Sequence, residues 1–267
     1  VLFRSTNGHA ADNVTVAKPV AQVGGVEYPT IAAAVKAASA GATITFVADV
    51  NENVTLSKNV TINGDGKQYI GTMTLNKGLT VTVENVNFVN GGIDKPKAQK
   101  STTGTYTIKN CTFVDEGKYA YPLRFYGAET INVENCTVKN YLYSFLYING
   151  ATLNLNINNV TVEDCPNYAV YFATGVNNAS IEGLTVRNSN NGIIVNNDAD
   201  RTLTIKNCKM ENVNTAIAES KGTFAITVKA QGENNFGAAV LSQYAKCVLA
   251  EDATLAATTA GLNVTTN

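Results

Sequence analysis

Eight of the twelve tyrosines in this 267-residue chain fall between residues 119 and 171: Tyr119, Tyr121, Tyr126, Tyr141, Tyr143, Tyr147, Tyr168 and Tyr171. A ring with one polar tip suits stacking on a sugar or on a protein partner. Other chemistry is sparse. The single histidine, His9, precedes the patterned part of the chain, and since a zinc site needs several converging His or Cys ligands, none is expected. The stretch NNDADRT places Asp198, Asp200 and Arg201 in one loop. Two carboxylates fall short of the six to eight oxygens that calcium takes, and the loop reads as an acidic, solvated turn. Five cysteines, an odd number without spacing logic, make no disulfide framework.

The elements that would carry these residues follow from an internal repeat. Six octets align: VENVNFVN (83–90), IKNCTFVD (108–115), VENCTVKN (133–140), INNVTVED (157–164), IEGLTVRN (181–188) and IKNCKMEN (205–212). They recur at 25, 25, 24, 24 and 24 residues. Columns one, four and six are apolar, as side chains stacked in a core must be, and the cysteines of column four act as small buried hydrophobes. Column five is mostly threonine and faces solvent. Column three is Asn, with Gly183 once, which predicts left-handed backbone at a sharp corner. Column eight, Asn or Asp throughout, marks the strand end with side chains that bond nearby backbone.

A second strand follows in YPLRFYG (121–127), YSFLYING (143–150), YAVYFATG (168–175) and NGIIVNN (191–197). Leu123/Phe125, Leu146/Ile148, Val170/Phe172 and Ile193/Val195 alternate as inward pairs. Between them Arg124, Tyr147, Tyr171 and Ile194 form an outward ladder at spacings of 23, 24 and 23. Pro122, Phe145 and Ala169 are expected in a second outward row, and Tyr126 and Asn149 in a third. Three short strands per repeat with an Asn corner describe one coil of a parallel β-solenoid, stacked on the next about 4.8 Å away. Asp115 and Asp164 then lie two coils apart, about 9.6 Å by strand spacing, near the carboxylate separation of inverting glycosidases. Asn140 stands between them in the same column, so turn geometry accounts for both.

The ends fit this plan. GVEYPTIAAAVKAASAGATITF (25–46) predicts a helix from Thr30 to about Ala40, with Thr30 as N-cap and Gly41 beyond its end, plugging the first coil. Residues 1–24 read as an extension with one short strand, 25–247 as the solenoid with its cap, and 248–267 as a C-terminal cap. VLFRS (1–5) reads as a translated sequencing adaptor and predicts a fragment of a longer chain. A net charge of −1 and 15% charged residues give no electrostatic footprint for nucleic acid or an anionic membrane. No apolar run reaches the roughly 20 residues of a membrane span.

The motif Tyr28-x-Thr30-Ile31-x-x-Ala34-Val35, then Gly41-x-x-Ile44-x-Phe46, then coils of the NCTF type, resembles the pectin-lyase-like, right-handed parallel β-helix superfamily. It is similar in particular to repeat segments of secreted bacterial surface proteins, over residues 25–247. The resemblance implies an all-β right-handed parallel β-helix of about eight coils and an extracellular or cell-surface location. It implies no single activity, because the superfamily holds lyases, hydrolases, tailspikes, adhesins and stalks. The Gly-His-Gly of its polygalacturonases and the calcium-binding Asp cluster of its pectate lyases are missing from this sequence. The expectation is therefore a non-catalytic adhesin or stalk with no catalytic residue, metal or cofactor. Its ligand-binding strip is Arg124, Tyr126, Phe145, Tyr147 and Tyr171, facing a glycan or a surface protein. The alternatives are a lyase or hydrolase using Lys118, Arg124 or the Asp198/Asp200 loop, and a phage tail-fibre segment. A tail fibre would be trimeric, whereas a surface module is expected to be monomeric.

Overall fold

The computed structural model describes residues 17–258 and 264–266; His9, the VLFRS stretch and part of the expected C-terminal cap lie outside them. The chain winds into a parallel β-solenoid of about eight turns, and each turn has three faces. On the first face Val83, Ile108, Val133, Ile157, Ile181 and Ile205 stack in register. The second face stacks Phe88, Phe113, Val138, Val162, Val186 and Met210. The third stacks Ile93, Leu123, Leu146, Val170, Ile193 and Ile217. All of these side chains are buried, so the core is a continuous apolar column running the length of the solenoid.

Two corners per turn are set by left-handed residues. Asn85, Asn110, Asn135, Asn159 and Asn207 have φ between 52° and 56°, and Gly183 has φ 64°. Five of the six residues of the eighth column do the same: Asn90, Asn140, Asp164, Asn188 and Asn212. That column is therefore a second corner and not merely a strand end. Its side chains form a ladder, Asn188 Nδ2 donating to Asp164 Oδ1 at 2.8 Å and Asn212 Nδ2 to Asn188 Oδ1 at 3.0 Å. The first corner has the same device, from Asn159 to Asn135 at 2.9 Å and from Asn135 to Asn110 at 3.2 Å.

Gly183 interrupts that ladder. Asparagine tolerates left-handed backbone, narrows the unfolded ensemble and would reach Asn159 below it. Gly183→Asn is expected to raise stability by about 0.5 kcal/mol, read as a shift of the urea midpoint at unchanged slope. A destabilised variant would mean that the Cβ, 3.3 Å from the Asn159 amide nitrogen, is too tight.

The helix, α1, runs from Ile31 to Ala37 and buries Ile31, Ala34 and Val35 against the first coil. Thr30 caps it, its Oγ1 accepting from the Ala33 amide at 3.0 Å. The solenoid also holds both ends of the helix. The Glu52 carboxylate accepts from the amides of Ile31 and Ala32 at 2.8 and 3.0 Å. The Lys58 ammonium donates to the carbonyls of Lys36 and Ala38, each at 2.7 Å. These charges sit where the helix macrodipole favours them. The strand Ala21–Val23 pairs antiparallel with Ala42–Phe46, and Ala21 is fully buried, so the cap begins before residue 25. At the other end, Ala245–Leu249 and Thr254–Thr258 still pair in parallel with the turn below. The solenoid thus continues past residue 247, where the sequence suggests a cap.

Candidate functional site: a tyrosine platform on the third face

The third face places the outward ladder as its spacing requires. Arg124 pairs in register with Tyr147, Tyr147 with Tyr171, and Tyr171 with Ile194. Three further tyrosines join from the neighbouring bends. Tyr121 stacks on Tyr147 with ring centroids 4.9 Å apart and planes 27° apart, and lies 6.0 Å from Tyr143. Tyr147 meets Tyr171 edge to face at 5.4 Å, and Tyr171 meets Tyr168 in the same way at 5.0 Å. The hydroxyls of Tyr121 and Tyr168 are 3.3 Å apart, and Asn149 Nδ2 donates to the Tyr147 hydroxyl at 2.9 Å. Of these five rings Tyr143 is exposed and the rest are half-buried, which leaves edges and hydroxyls for a ligand. Burial pushes the Tyr147 and Tyr168 phenols up, so these two are neutral donors at physiological pH.

Toward the N-terminal end the platform runs into a cleft of about 300 Å³. Gly91, Gly92 and Ile93 line it together with Thr72, Asp94, Tyr119, Tyr121 and Arg124. Gly92 has no alternative there, because a Cβ would collide with the Pro122 carbonyl of the next turn. Arg124 is held by a two-pronged ion pair, Nε to Asp94 Oδ1 at 2.8 Å and Nη2 to Asp94 Oδ2 at 2.7 Å. This pairing holds the guanidinium pKa above its ordinary value.

Two expectations need correction. Phe145 is fully buried and no part of an outward row; Pro122 and Ala169 are buried too. The cause is the bend into the third face. There two successive residues turn inward in each turn: Gly92–Ile93, Pro122–Leu123, Phe145–Leu146, Ala169–Val170, Gly192–Ile193 and Ala216–Ile217 are all buried. Most first members are small because the space is tight: a Cβ on Gly192 would meet the core side chain of Met210. Tyr141 is buried as well, its hydroxyl donating to the Gly91 carbonyl at 2.6 Å beneath the cleft. Tyr126 is half-buried beside the strip. Asp94, absent from the expected strip, is brought to its N-terminal end, opposite Arg124.

The remaining chemical candidates are all engaged. Asp115 is buried, its Oδ2 accepting from the amides of Lys118 and Tyr119 at 2.6 and 2.8 Å. Asp164 lies at the surface, 3.6 Å from the Lys139 ammonium. The two carboxylates therefore occupy different environments and share no cleft. Lys118 pairs with Glu116, and Arg201 with Asp198. Asp200 accepts from the Ala225 amide at 3.2 Å. No group of three or more His, Cys, Asp or Glu placed to hold a metal ion occurs among the described residues. The five cysteines are free and buried, and burial pushes the Cys165 thiol up to about 12. No helix among the described residues is long and apolar enough to cross a membrane.

A three-faced parallel solenoid defines a class of protein by its fold, and comparison agrees on that fold. Residues 98–251 match the family described as right handed beta helix region, and the chain belongs to that family. Compared with curated proteins and with solved structures, the chain matches none.

Proposed function

We propose that this protein is a non-catalytic, extracellular or cell-surface module that presents the third-face tyrosines to a glycan. The observation that carries the reading is the contiguous platform of Tyr121, Tyr143, Tyr147, Tyr168 and Tyr171, opening at one end into the cleft beside Arg124 and Asp94. Rigid stacked rings offer contact area with little conformational freedom left to lose on binding, and their hydroxyls offer directional bonds. The pairing of Lys118, Arg124 and Asp198 with opposite charges favours binding over acid–base chemistry, which needs a group free to exchange a proton at the reacting centre.

The test is an immobilised glycan array probed with the wild-type protein, Tyr147→Ala and Tyr147→Phe. Removing the central ring is expected to weaken binding about tenfold, near 1.4 kcal/mol, while phenylalanine keeps most of it. Equal binding by wild type and Tyr147→Ala would move the site off the platform. Silence across the array would turn the reading toward a protein partner, for which the exposed Tyr119, Leu142 and Tyr143 give an apolar contact.

A further inference from the structure

Resting on the glycan reading above, we infer that the platform and its cleft take an uncharged saccharide, and that Asp94 is the residue that excludes acidic ones. The cleft has two charged side chains, Asp94 and Arg124, and they are bound to each other through two hydrogen bonds. Within the lining of the cleft the formal charge is therefore zero, and the Lys95 ammonium, buried on the inner side of the same strand, is turned to main-chain carbonyls. The platform beyond the cleft adds neutral phenols. In the adjoining loop Lys118 and Glu116 also cancel as a pair, and Asp115 is buried with its Oδ2 turned to the Lys118 and Tyr119 amides. An anionic sugar would have to compete with the Asp94 carboxylate for the guanidinium, or lie beside that carboxylate and be repelled.

The same pair suits a neutral polyol well. A guanidinium carries five N–H donors in a fixed fork, and Asp94 occupies one on Nε and one on Nη2. The remaining donors lie beside carboxylate oxygens that keep free lone pairs. Donors and acceptors at one rigid edge match sugar hydroxyls, each of which both gives and accepts a hydrogen bond. The pair is also pre-set, since Asp94 and Arg124 lie opposite each other on adjacent strands of the third face. A volume of about 300 Å³ sits at the small end of the range for small-molecule sites. It thus accepts a ring or two at the end of the chain, while further rings continue over Tyr121 and Tyr147.

The experiment is titration calorimetry of the full chain with two sets of oligosaccharides, unsubstituted hexose oligomers and uronic-acid oligomers, at low and high salt. The variants are Asp94→Asn, which releases the guanidinium charge with little change of shape, and Asp94→Asn/Arg124→Gln, which restores neutrality. Thermal melts confirm that each folds. The wild type is expected to bind a hexose oligomer with an affinity that salt leaves within twofold, and to bind the uronates at least tenfold more weakly. Asp94→Asn is expected to gain uronate binding at least tenfold, in a salt-sensitive way, and the double variant to lose that gain. Wild-type binding of uronates that fades with salt would overturn the neutral-ligand inference and leave the glycan reading standing. Failure of Asp94→Asn to gain uronate binding would remove Asp94 as the excluding residue. No binding of either set by any of the proteins would overturn the glycan reading and this inference together.

Discussion

Replacing Phe113 with alanine is expected to cost about 3–5 kcal/mol of stability, the largest effect of any single truncation considered for this chain. The ring is fully buried and lies 4.7 Å from that of Phe88, with an 8° angle between planes. Phe88 in turn meets Tyr69 edge to face at 5.4 Å, and Tyr69 stacks on Phe46 at 5.9 Å. Four rings thus form a spine inside the N-terminal half of the solenoid. Deleting one leaves a cavity that the rigid ladders above and below cannot close, because each strand is fixed by main-chain bonds to both neighbours. Valine already fills the next positions of the column at 138, 162 and 186, so Phe113→Val is expected to cost about half as much. A solenoid turn contacts only the turns beside it, so the damage stays local. Urea unfolding of Phe113→Ala should show an early midpoint and a shallower slope, with the two halves of the molecule partly uncoupled. A midpoint shift worth less than about 1 kcal/mol would mean that the column relaxes and that this spine does not hold the turns together.

The parts of this molecule that could be read from its sequence are those with one strict local requirement. Asn85, Asn110, Asn135, Asn159 and Asn207 sit where backbone is left-handed, and few other residues tolerate that cheaply, so the corner is visible as a column. Tyr147 and Tyr171 were legible because inward and outward positions alternate with period two and the turn length there varies by only one residue. Phe145 was not, because alternation fails at the bend, where two successive residues are both inside. Asp94 was missed for a different reason. The segment with the short 3₁₀ turn at Lys97–Gln99 lengthens that turn of the solenoid, so Asp94 and its partner Arg124 are 30 residues apart while Arg124 and Tyr147 are 23. A search at one fixed period passes over such a pair. The anchoring of α1 by Glu52 and Lys58 is likewise long-range, 20 to 22 residues from the groups they cap, and carries no local signature.

Lys95 breaks the apolar pattern most openly and gives the second large expected effect. It pairs in register with Phe125 in an inward column of the third face, and its side chain is fully buried. The ammonium has no carboxylate partner among the described residues. It donates to the carbonyls of Gln99 at 2.6 Å, Gly127 at 2.8 Å and Tyr126 at 3.3 Å, with the Tyr106 ring 6.0 Å away. The amine thereby fastens the segment around Lys97–Gln99 to the turn behind it, just under the strand that carries Asp94. Desolvation, with Lys77 nearby, pushes its pKa down to about 8 from 10.5. Below pH 8 the amine is charged in both states and the folded form carries the penalty. Between about 8 and 10.5 the unfolded chain still binds the proton that the folded chain has released, so this group makes stability rise with pH. The Cys247 thiol acts in the opposite sense: burial raises it to about 11 from 9, and its contribution falls as pH climbs through that range. The difference between wild type and Lys95→Met isolates the lysine, since methionine keeps most of the apolar stem and every other group is common to both. From pH 7 to pH 10.5 the wild type is expected to gain roughly 2 kcal/mol on the variant in urea unfolding, less than the full shift because the three carbonyls favour the charged form. Parallel stability curves would mean that those carbonyls alone hold the ammonium at its ordinary pKa, leaving Lys95 a fastening with no pH dependence in this range.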